Sequence, residues 1–162
     1  MSYHATVLGW LAVLAACSPP AAEQAAEPMA PDTAAIRAEL RAMSDRNQAS
    51  YLAGDAAGVA ANFADSAIAE FLGFPTAVGK AAIESTYVAY FAANKLTVAE
   101  IGIDQVSSTG PDRASALGTF HSFGESAGKP VHQWWRYVAA HTKGADGQWR
   151  ISYIMAFPDS TK

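Results

Sequence analysis

Glu70 is the candidate in this chain for a carboxylate that takes part in acid–base chemistry. Glu70 lies in residues 67–72, whose side chains alternate in the way typical of a β-strand. In a strand, Glu70 shares one face with Ile68 and Leu72. If that face points into the core, burial makes the carboxylate harder to ionise, which suits proton transfer near neutral pH. If it points to water, Glu70 is an ordinary edge-strand residue, and the sequence leaves both interpretations open.

A helical amide is the second candidate. Ile36, Leu40, Met43 and Tyr51 are spaced four, three and eight residues apart, which places them on one stripe of a helix. Asn47 takes the remaining position of that stripe, so the helix directs an amide toward the interior. Buried amides need hydrogen-bond partners. Asn47 is therefore either a core residue satisfied by neighbouring backbone or a donor that lines a pocket.

Other chemistries find little support. His121, His132 and His141 lack the close His or carboxylate spacing of a metal site, so we expect no metal and no cofactor. The chain has 11 Lys and Arg against 15 Asp and Glu, a net charge of -4. Because no basic cluster could follow a row of phosphates, nucleic acid is not an expected partner.

Three helices are predicted in the first part of the domain. Asp32 or Thr33 caps the first helix, which ends at Gly54. Asp55 caps a short second helix, and Gly79 introduces the third.

The remainder of the chain is predicted to be sheet, because the apolar period changes to two from Leu96 onward. The expected strands are residues 96–107, 113–123, 131–143 and 148–157. Strands of this length must twist and curl. The predicted fold class is therefore α+β, a cone in which a strongly curved antiparallel sheet wraps around three N-terminal helices.

The N-terminal segment is typical of a secretion signal. Residues 1–22 contain no Asp, Glu, Lys or Arg, and residues 7–14 form an apolar run too short to cross a bilayer as a helix. The run ends in Leu14-Ala15-Ala16-Cys17, which resembles the bacterial lipobox, where the cysteine receives diacylglycerol. The alternative is a buried N-terminal helix with an incidental cysteine.

The chain is expected to have three parts. Residues 1–16 form the lipoprotein signal peptide, residues 17–31 the acylated Cys17 and a Pro- and Ala-rich tether, and residues 32–162 one domain. Such a tether is extended and holds the domain away from the lipid. Ser18 is not the Asp that resembles an inner-membrane retention signal. We therefore expect a lipid-anchored protein of the bacterial cell envelope that faces the periplasm, at the outer rather than the inner membrane.

The order of the predicted parts is specific to one kind of domain. It comprises a helix followed by Gly54-Asp55, residues 63–67 before a strand, a helix beginning at Gly79-Lys80, and four long strands. This order resembles the nuclear transport factor 2-like superfamily, in its SnoaL-like and ketosteroid-isomerase-like branch, over about residues 33–158. The resemblance implies the cone fold but no single reaction, because the superfamily includes isomerases, cyclases, dehydratases and pocket proteins.

The resemblance to ketosteroid isomerases implies roles for three residues. It places Glu70 at the position of the catalytic base, Asn47 where the isomerases carry a tyrosine that donates to the oxyanion, and Tyr137 at or near the second donor. Because an amide is a weaker donor than a phenol, the match does not extend to steroid isomerisation itself.

Four apolar residues could form a pocket at the mouth of the cone. Tyr51, Tyr87, Trp135 and Met155 could cover a flat apolar ligand there, although core packing explains aromatic residues on strands equally well. We expect first an envelope lipoprotein whose pocket binds a small apolar or aromatic molecule without converting it.

Two alternatives stay open. One is an acid–base enzyme of isomerase, cyclase or dehydratase type, with Glu70 as general base and Asn47 and Tyr137 as donors. The other is a scaffold that forms a homodimer through its outer sheet face, where either Trp134 or Trp135 lies.

Overall fold

The computed structural model describes residues 32–161. The elements in chain order are α1 (Thr33–Ala53), α2 (Ala56–Ala60), β1 (Phe63–Phe71), β2 (Ala77–Val78), α3 (Lys80–Ala93), β3 (Asn94–Gly110), β4 (Arg113–Ser126), β5 (Lys129–Lys143) and β6 (Trp149–Pro158). The predicted signal peptide, Cys17 and the tether lie outside the described residues. Within residues 32–161, none of the helices combines the length and the apolar character that a membrane span needs.

The helix boundaries follow from capping residues. Asp32 accepts hydrogen bonds from the backbone of Ala34 and Ala35 at the start of α1. Gly54 ends α1 in the left-handed conformation, with φ 66°, which a residue without Cβ adopts at little cost. Asp55 then caps α2. The predicted starts and the predicted stop of these two helices are confirmed.

The six strands form one sheet in the order β2-β1-β6-β5-β4-β3. The α+β cone is confirmed, with one difference from the predicted antiparallel sheet: β1 and β6 pair in parallel. The cause is topological. The chain crosses through α3 to the far edge before β3, β4, β5 and β6 follow as successive antiparallel neighbours, so the last strand returns beside β1 in the same direction.

Bulges bend the long strands. Register shifts interrupt the β3–β4 ladder between Leu96 and Val98 and again between Ile103 and Gln105, and such irregularities increase local twist. The curved sheet has an inner face, whose residues share the core with the helices, and an outer face on its other side. Apolar residues of α1, α2, α3, β1 and β6 form the main core, among them Leu40, Val59, Phe63 and Ile83.

Helix α1 also covers part of the free edge of β3. The Arg37 Nη1 group donates to the carbonyl of Ile103 at 3.0 Å, and Arg41 Nη1 donates to that of Ile101 at 3.3 Å. The Gln48 side chain accepts from the Ile101 amide at 2.6 Å. These contacts satisfy edge groups that would otherwise be open to another strand.

Candidate functional site

Glu70 lies on the outer face of the sheet. Its neighbours Ala69 and Phe71 pack into the core, so alternation along β1 directs Glu70 the other way. The carboxylate accepts a hydrogen bond of 2.6 Å from the Tyr153 hydroxyl. That bond raises the pKa of Tyr153, because it stabilises the protonated phenol. Of the two orientations that the sequence left open, Glu70 takes the one away from the core.

Asn47 is a core amide with a side-chain partner. It is 7% exposed, and its Oδ1 accepts from Asn62 Nδ2 at 3.3 Å. The same Nδ2 group donates to the carbonyls of Gly58 at 2.9 Å and Val59 at 3.3 Å. The two amides therefore join α1 to the residues that follow α2. Of the two interpretations that the sequence left open, Asn47 is a core amide, and its partner is the side chain of Asn62.

Tyr137 lies on the inner face and uses its hydroxyl to hold the sheet. The hydroxyl donates to the carbonyl of Gly102 at 2.9 Å, crossing β4 above Gly118. Burial raises the pKa of Tyr137 to about 12. The phenol thus donates to backbone of β3 in this structure.

The structure does not bring Glu70, Asn47 and Tyr137 together. Glu70 is on the outer face, Asn47 contacts Asn62, and Tyr137 is bonded to Gly102. A general base and its oxyanion donors must meet at the same reacting atoms. The three predicted residues therefore do not face one reacting atom in this structure, because alternation along β1 places the Glu70 carboxylate on the opposite face of the sheet from Tyr137.

Aromatic rings from α1, α3 and β4 meet between the helices and the inner face. The Tyr51 ring lies 4.9 Å from that of Phe120, 5.4 Å from that of Tyr87 and 5.8 Å from that of Phe91, measured between centroids. The Tyr51 hydroxyl donates to the Tyr87 hydroxyl at 2.7 Å. Burial raises the pKa of both phenols well above the ordinary value, so both stay protonated at neutral pH.

Trp135 extends this group across the sheet. It pairs in register with Phe120 and packs against the second core cluster, which includes Tyr137. We name Tyr51, Phe91, Phe120 and Trp135 the aromatic site. All four side chains are only half-buried although they face the interior, so each keeps some surface that the described residues do not cover.

Met155 is not part of the aromatic site, contrary to expectation. A register shift in the β5–β6 pairing, between Ala140 and His141, changes the alternation of β6. Trp149 and Ile151 point into the core before the shift, whereas Ile154 does so after it. Met155 consequently lies on the outer face and is 43% exposed.

A polar group sits next to Trp135. The Gln133 side-chain oxygen accepts from the Tyr90 hydroxyl at 3.0 Å and from the Ser122 hydroxyl at 3.3 Å. These two donors orient the amide and leave the Gln133 Nε2 hydrogens without an acceptor within residues 32–161. Gln133 shares a face with Trp135 because the two residues are two apart on β5. The contributions of Tyr90, Phe91 and Phe120 were not predicted from the sequence, because these residues lie on different elements that only the fold brings together.

His141 and His121 have different surroundings. His141 is buried, its Nδ1 has no hydrogen-bond partner in the described part of the chain, and burial lowers its pKa to about 4. His121 stacks on Trp134 with ring centroids 3.6 Å apart and lies 3.3 Å from a carboxylate oxygen of Glu100. Between Asp32 and Thr161, no group of three or more His, Cys, Asp or Glu side chains is arranged to hold a metal ion.

The outer face carries several exposed apolar side chains. Trp134 is on this face and Trp135 on the inner one, which settles the alternation that the sequence left open. The exposed residues in its middle are Leu117, Phe123, Trp134, Val138, Met155 and Phe157. The homodimer stays a prediction, and these are the residues that would form its interface.

The fold defines the class: this domain has the cone fold of the nuclear transport factor 2-like proteins. No protein-family model and no curated protein matches the chain.

Several solved structures superpose on this domain. A ketosteroid isomerase-like protein from Erwinia carotovora atroseptica superposes with TM-score 0.68 at 20% identity, covering 76% of this chain and 95% of the other. An NTF2-like protein with a cystatin-like fold from Novosphingobium aromaticivorans has TM-score 0.60 at 22% identity, covering 78% and 83%. A protein from Catenulispora acidiphila in complex with S-DNPA has TM-score 0.65 at 15% identity, covering 79% and 96%. At these identities the likeness establishes the fold and assigns no reaction.

Proposed function

We propose that this protein is a lipid-anchored envelope protein that binds a small apolar or aromatic molecule at the aromatic site. The observation that carries the proposal is the incomplete burial of four inward-facing rings, Tyr51, Phe91, Phe120 and Trp135. These rings pack against one another, and each also keeps some uncovered surface. A planar ligand would cover their open parts and gain both buried area and ring contacts.

Gln133 adds a requirement for the ligand. Its oxygen is occupied by Tyr90 and Ser122, so the side chain can offer only N–H donors to a bound molecule. A ligand with one carbonyl or ether oxygen beside a flat apolar ring satisfies this donor. The Catenulispora acidiphila protein, which has a similar fold, is in complex with S-DNPA, and this supports the idea that such a fold can hold a ligand.

Binding without conversion is favoured over acid–base catalysis. Glu70 is on the outer face, and the phenols of Tyr51 and Tyr87 stay protonated because burial raises the pKa of both. The Tyr51 hydroxyl already donates to Tyr87, and neither phenol can accept a proton from a substrate near neutral pH. The aromatic site therefore offers apolar surface and Gln133 offers the donor, and none of these five residues is a base.

Trp135→Ala is expected to weaken binding of a naphthoquinone by about tenfold or more, since it removes a ring from the aromatic site. Trp134→Ala is the matched control, because this neighbour lies on the outer face. Affinity is measured by quenching of tryptophan fluorescence. Gln133→Ala should weaken the naphthoquinone but not naphthalene, which has no oxygen. Equal losses in the two tryptophan variants would place the ligand elsewhere.

Cys17→Ser is expected to release the protein from the membrane fraction completely, because the substitution removes the thiol that would carry the lipid. Ser18→Ala is the control and should leave the protein with the membranes. The measurement is immunoblotting of soluble and membrane fractions, with and without globomycin. A Cys17→Ser protein that still sediments with membranes would refute the anchor.

A further inference from the structure

A second cleft lies apart from the aromatic site and shares no lining residue with it. Its volume is about 290 Å³, and it is bordered by the second half of α1, the turn between α2 and β1, and the first residues of β6. This is the small end of the range for ligand pockets. The cleft therefore has room for a small organic molecule, since a cavity of about 150 Å³ already accommodates benzene.

The first feature of the cleft is an unpaired guanidinium. Arg46 lines it from α1, is exposed, and makes no ion pair or side-chain hydrogen bond with any residue the structure describes. Arg37 and Arg41, on the same helix, instead donate to carbonyls of β3. Arg46 is thus a positive group at the cleft that the fold itself does not use.

The second feature is a guanidinium held in a fixed position. Arg150 donates from its two terminal nitrogens to the two oxygens of Asp146, at 3.0 and 2.6 Å. The Arg150 guanidinium holds the pKa of Asp146 well below its usual range, so the pair persists at neutral pH. A guanidinium has five N–H groups, and Arg150 therefore keeps donors for a second anion.

Neutral groups complete the cleft. Asn62 Nδ2 is fully used by Asn47, Gly58 and Val59, while its Oδ1 accepts no hydrogen bond from residues 32–161. Trp149 supplies an apolar wall, because its Nε1 group already donates to Glu39. The Asp55 carboxylate contacts the cleft residue Gly58 but is engaged in capping α2.

We propose that this cleft binds a small hydroxycarboxylate. Its carboxylate pairs with Arg46 and Arg150, since guanidinium groups bind carboxylates through charge-assisted hydrogen bonds. Its hydroxyl donates to the Asn62 oxygen. Arg46 supplies a positive charge with no carboxylate partner among the described residues. Arg150 adds guanidinium donors, although Asp146 balances its charge. Together with the Asn62 oxygen as acceptor, these groups favour an anion that also carries a donor over a purely apolar molecule.

Lactate is the probe, and the indole N–H resonance of Trp149 in a heteronuclear NMR titration is the readout. Lactate should shift this resonance saturably. Lactamide, which has the same skeleton without the charge, should not, and propionate, which lacks the hydroxyl, should bind more weakly. Arg46→Gln should weaken lactate about tenfold or more, as expected for loss of one charge-assisted pair.

Arg113→Gln is the matched control, because Arg113 is also exposed and its side chain has no partner in the described part of the chain. This variant should bind lactate normally. Absence of a saturable shift in the unmodified protein, or equal binding by Arg46→Gln and Arg113→Gln, would overturn the proposal. The naphthoquinone titration is separate, so failure of this cleft leaves the aromatic site unaffected.

Discussion

Gly118→Ala is expected to destabilise the domain by about 3 kcal/mol or more, because an added Cβ has no space. The Cβ would lie 2.1 Å from the carbonyl oxygen of Gly102 and 2.5 Å from the Tyr137 hydroxyl. The carbonyl belongs to β3 and cannot move away without disturbing the β3–β4 ladder. Urea denaturation of the soluble domain measures the loss.

The close approach at Gly118 matters for the aromatic site. Gly118 and Phe120 lie on the inner face of β4, as Tyr137 and Trp135 do on β5. The bond from the Tyr137 hydroxyl to the Gly102 carbonyl thus ties β3 to β5 next to Phe120 and Trp135. Gly118→Ala should therefore weaken naphthoquinone binding in whatever fraction still folds.

Two further variants test the physical cause. Tyr137→Phe should cost only about 1 kcal/mol, the net value of one hydrogen bond. Gly110→Ala is the glycine control, since the nearest atom to its added Cβ is 3.6 Å away, and it should have little effect. If Gly118→Ala were as mild as Gly110→Ala, the contact between β3, β4 and Tyr137 would not be as close as described.

The free energy of unfolding is expected to fall by roughly 3 kcal/mol as the pH is lowered from about 6.5 to about 4, because of His141. Burial lowers the pKa of His141 to about 4 from its ordinary 6.5. Between these pH values His141 binds a proton in the unfolded chain but stays neutral in the folded one. The stabilisation is therefore complete above the unfolded pKa and is lost as the pH falls through this window.

His141→Leu should remove this pH dependence, and it leaves no polar partner stranded because the Nδ1 atom has none among residues 32–161. His132→Gln is the control, since His132 is exposed, and should retain the dependence. The comparison is best made above about pH 5. In more acidic solution Glu39, Asp65 and Asp146, whose pKa values are lowered in the folded protein, also change the free energy of unfolding. Identical slopes for unmodified and His141→Leu protein would exclude His141 as the cause.

Local signals predicted most of the secondary structure. Asp32, Gly54 and Asp55 each act within a few residues of their own position, through capping bonds or a left-handed φ angle. The long strands were foreseen because a period of two continues along each of them, although their ends extend further, as at Gly110 and Ser126. The fold class follows from these elements and their order.

The composition of the aromatic site was only partly foreseen. Tyr51 and Trp135 were predicted from their stripe and their strand, whereas Phe91 and Phe120 meet Tyr51 only when α3 and β4 close over α1. Contacts between residues far apart in sequence leave no periodic signal. The hydrogen bond between Tyr90 and Gln133 was not predicted for the same reason.

By itself the sequence determined the helices, the strands and the cone class, because capping, turn chemistry and periodicity are properties of neighbouring residues. Only the tertiary structure decided which way the strands face. Period two shows that Glu70 and Ala69 point oppositely, but the packing of Ala69 against the helices chooses the side. A bulge in β6 then reversed the expected side of Met155, since one extra residue exchanges the two faces of a strand.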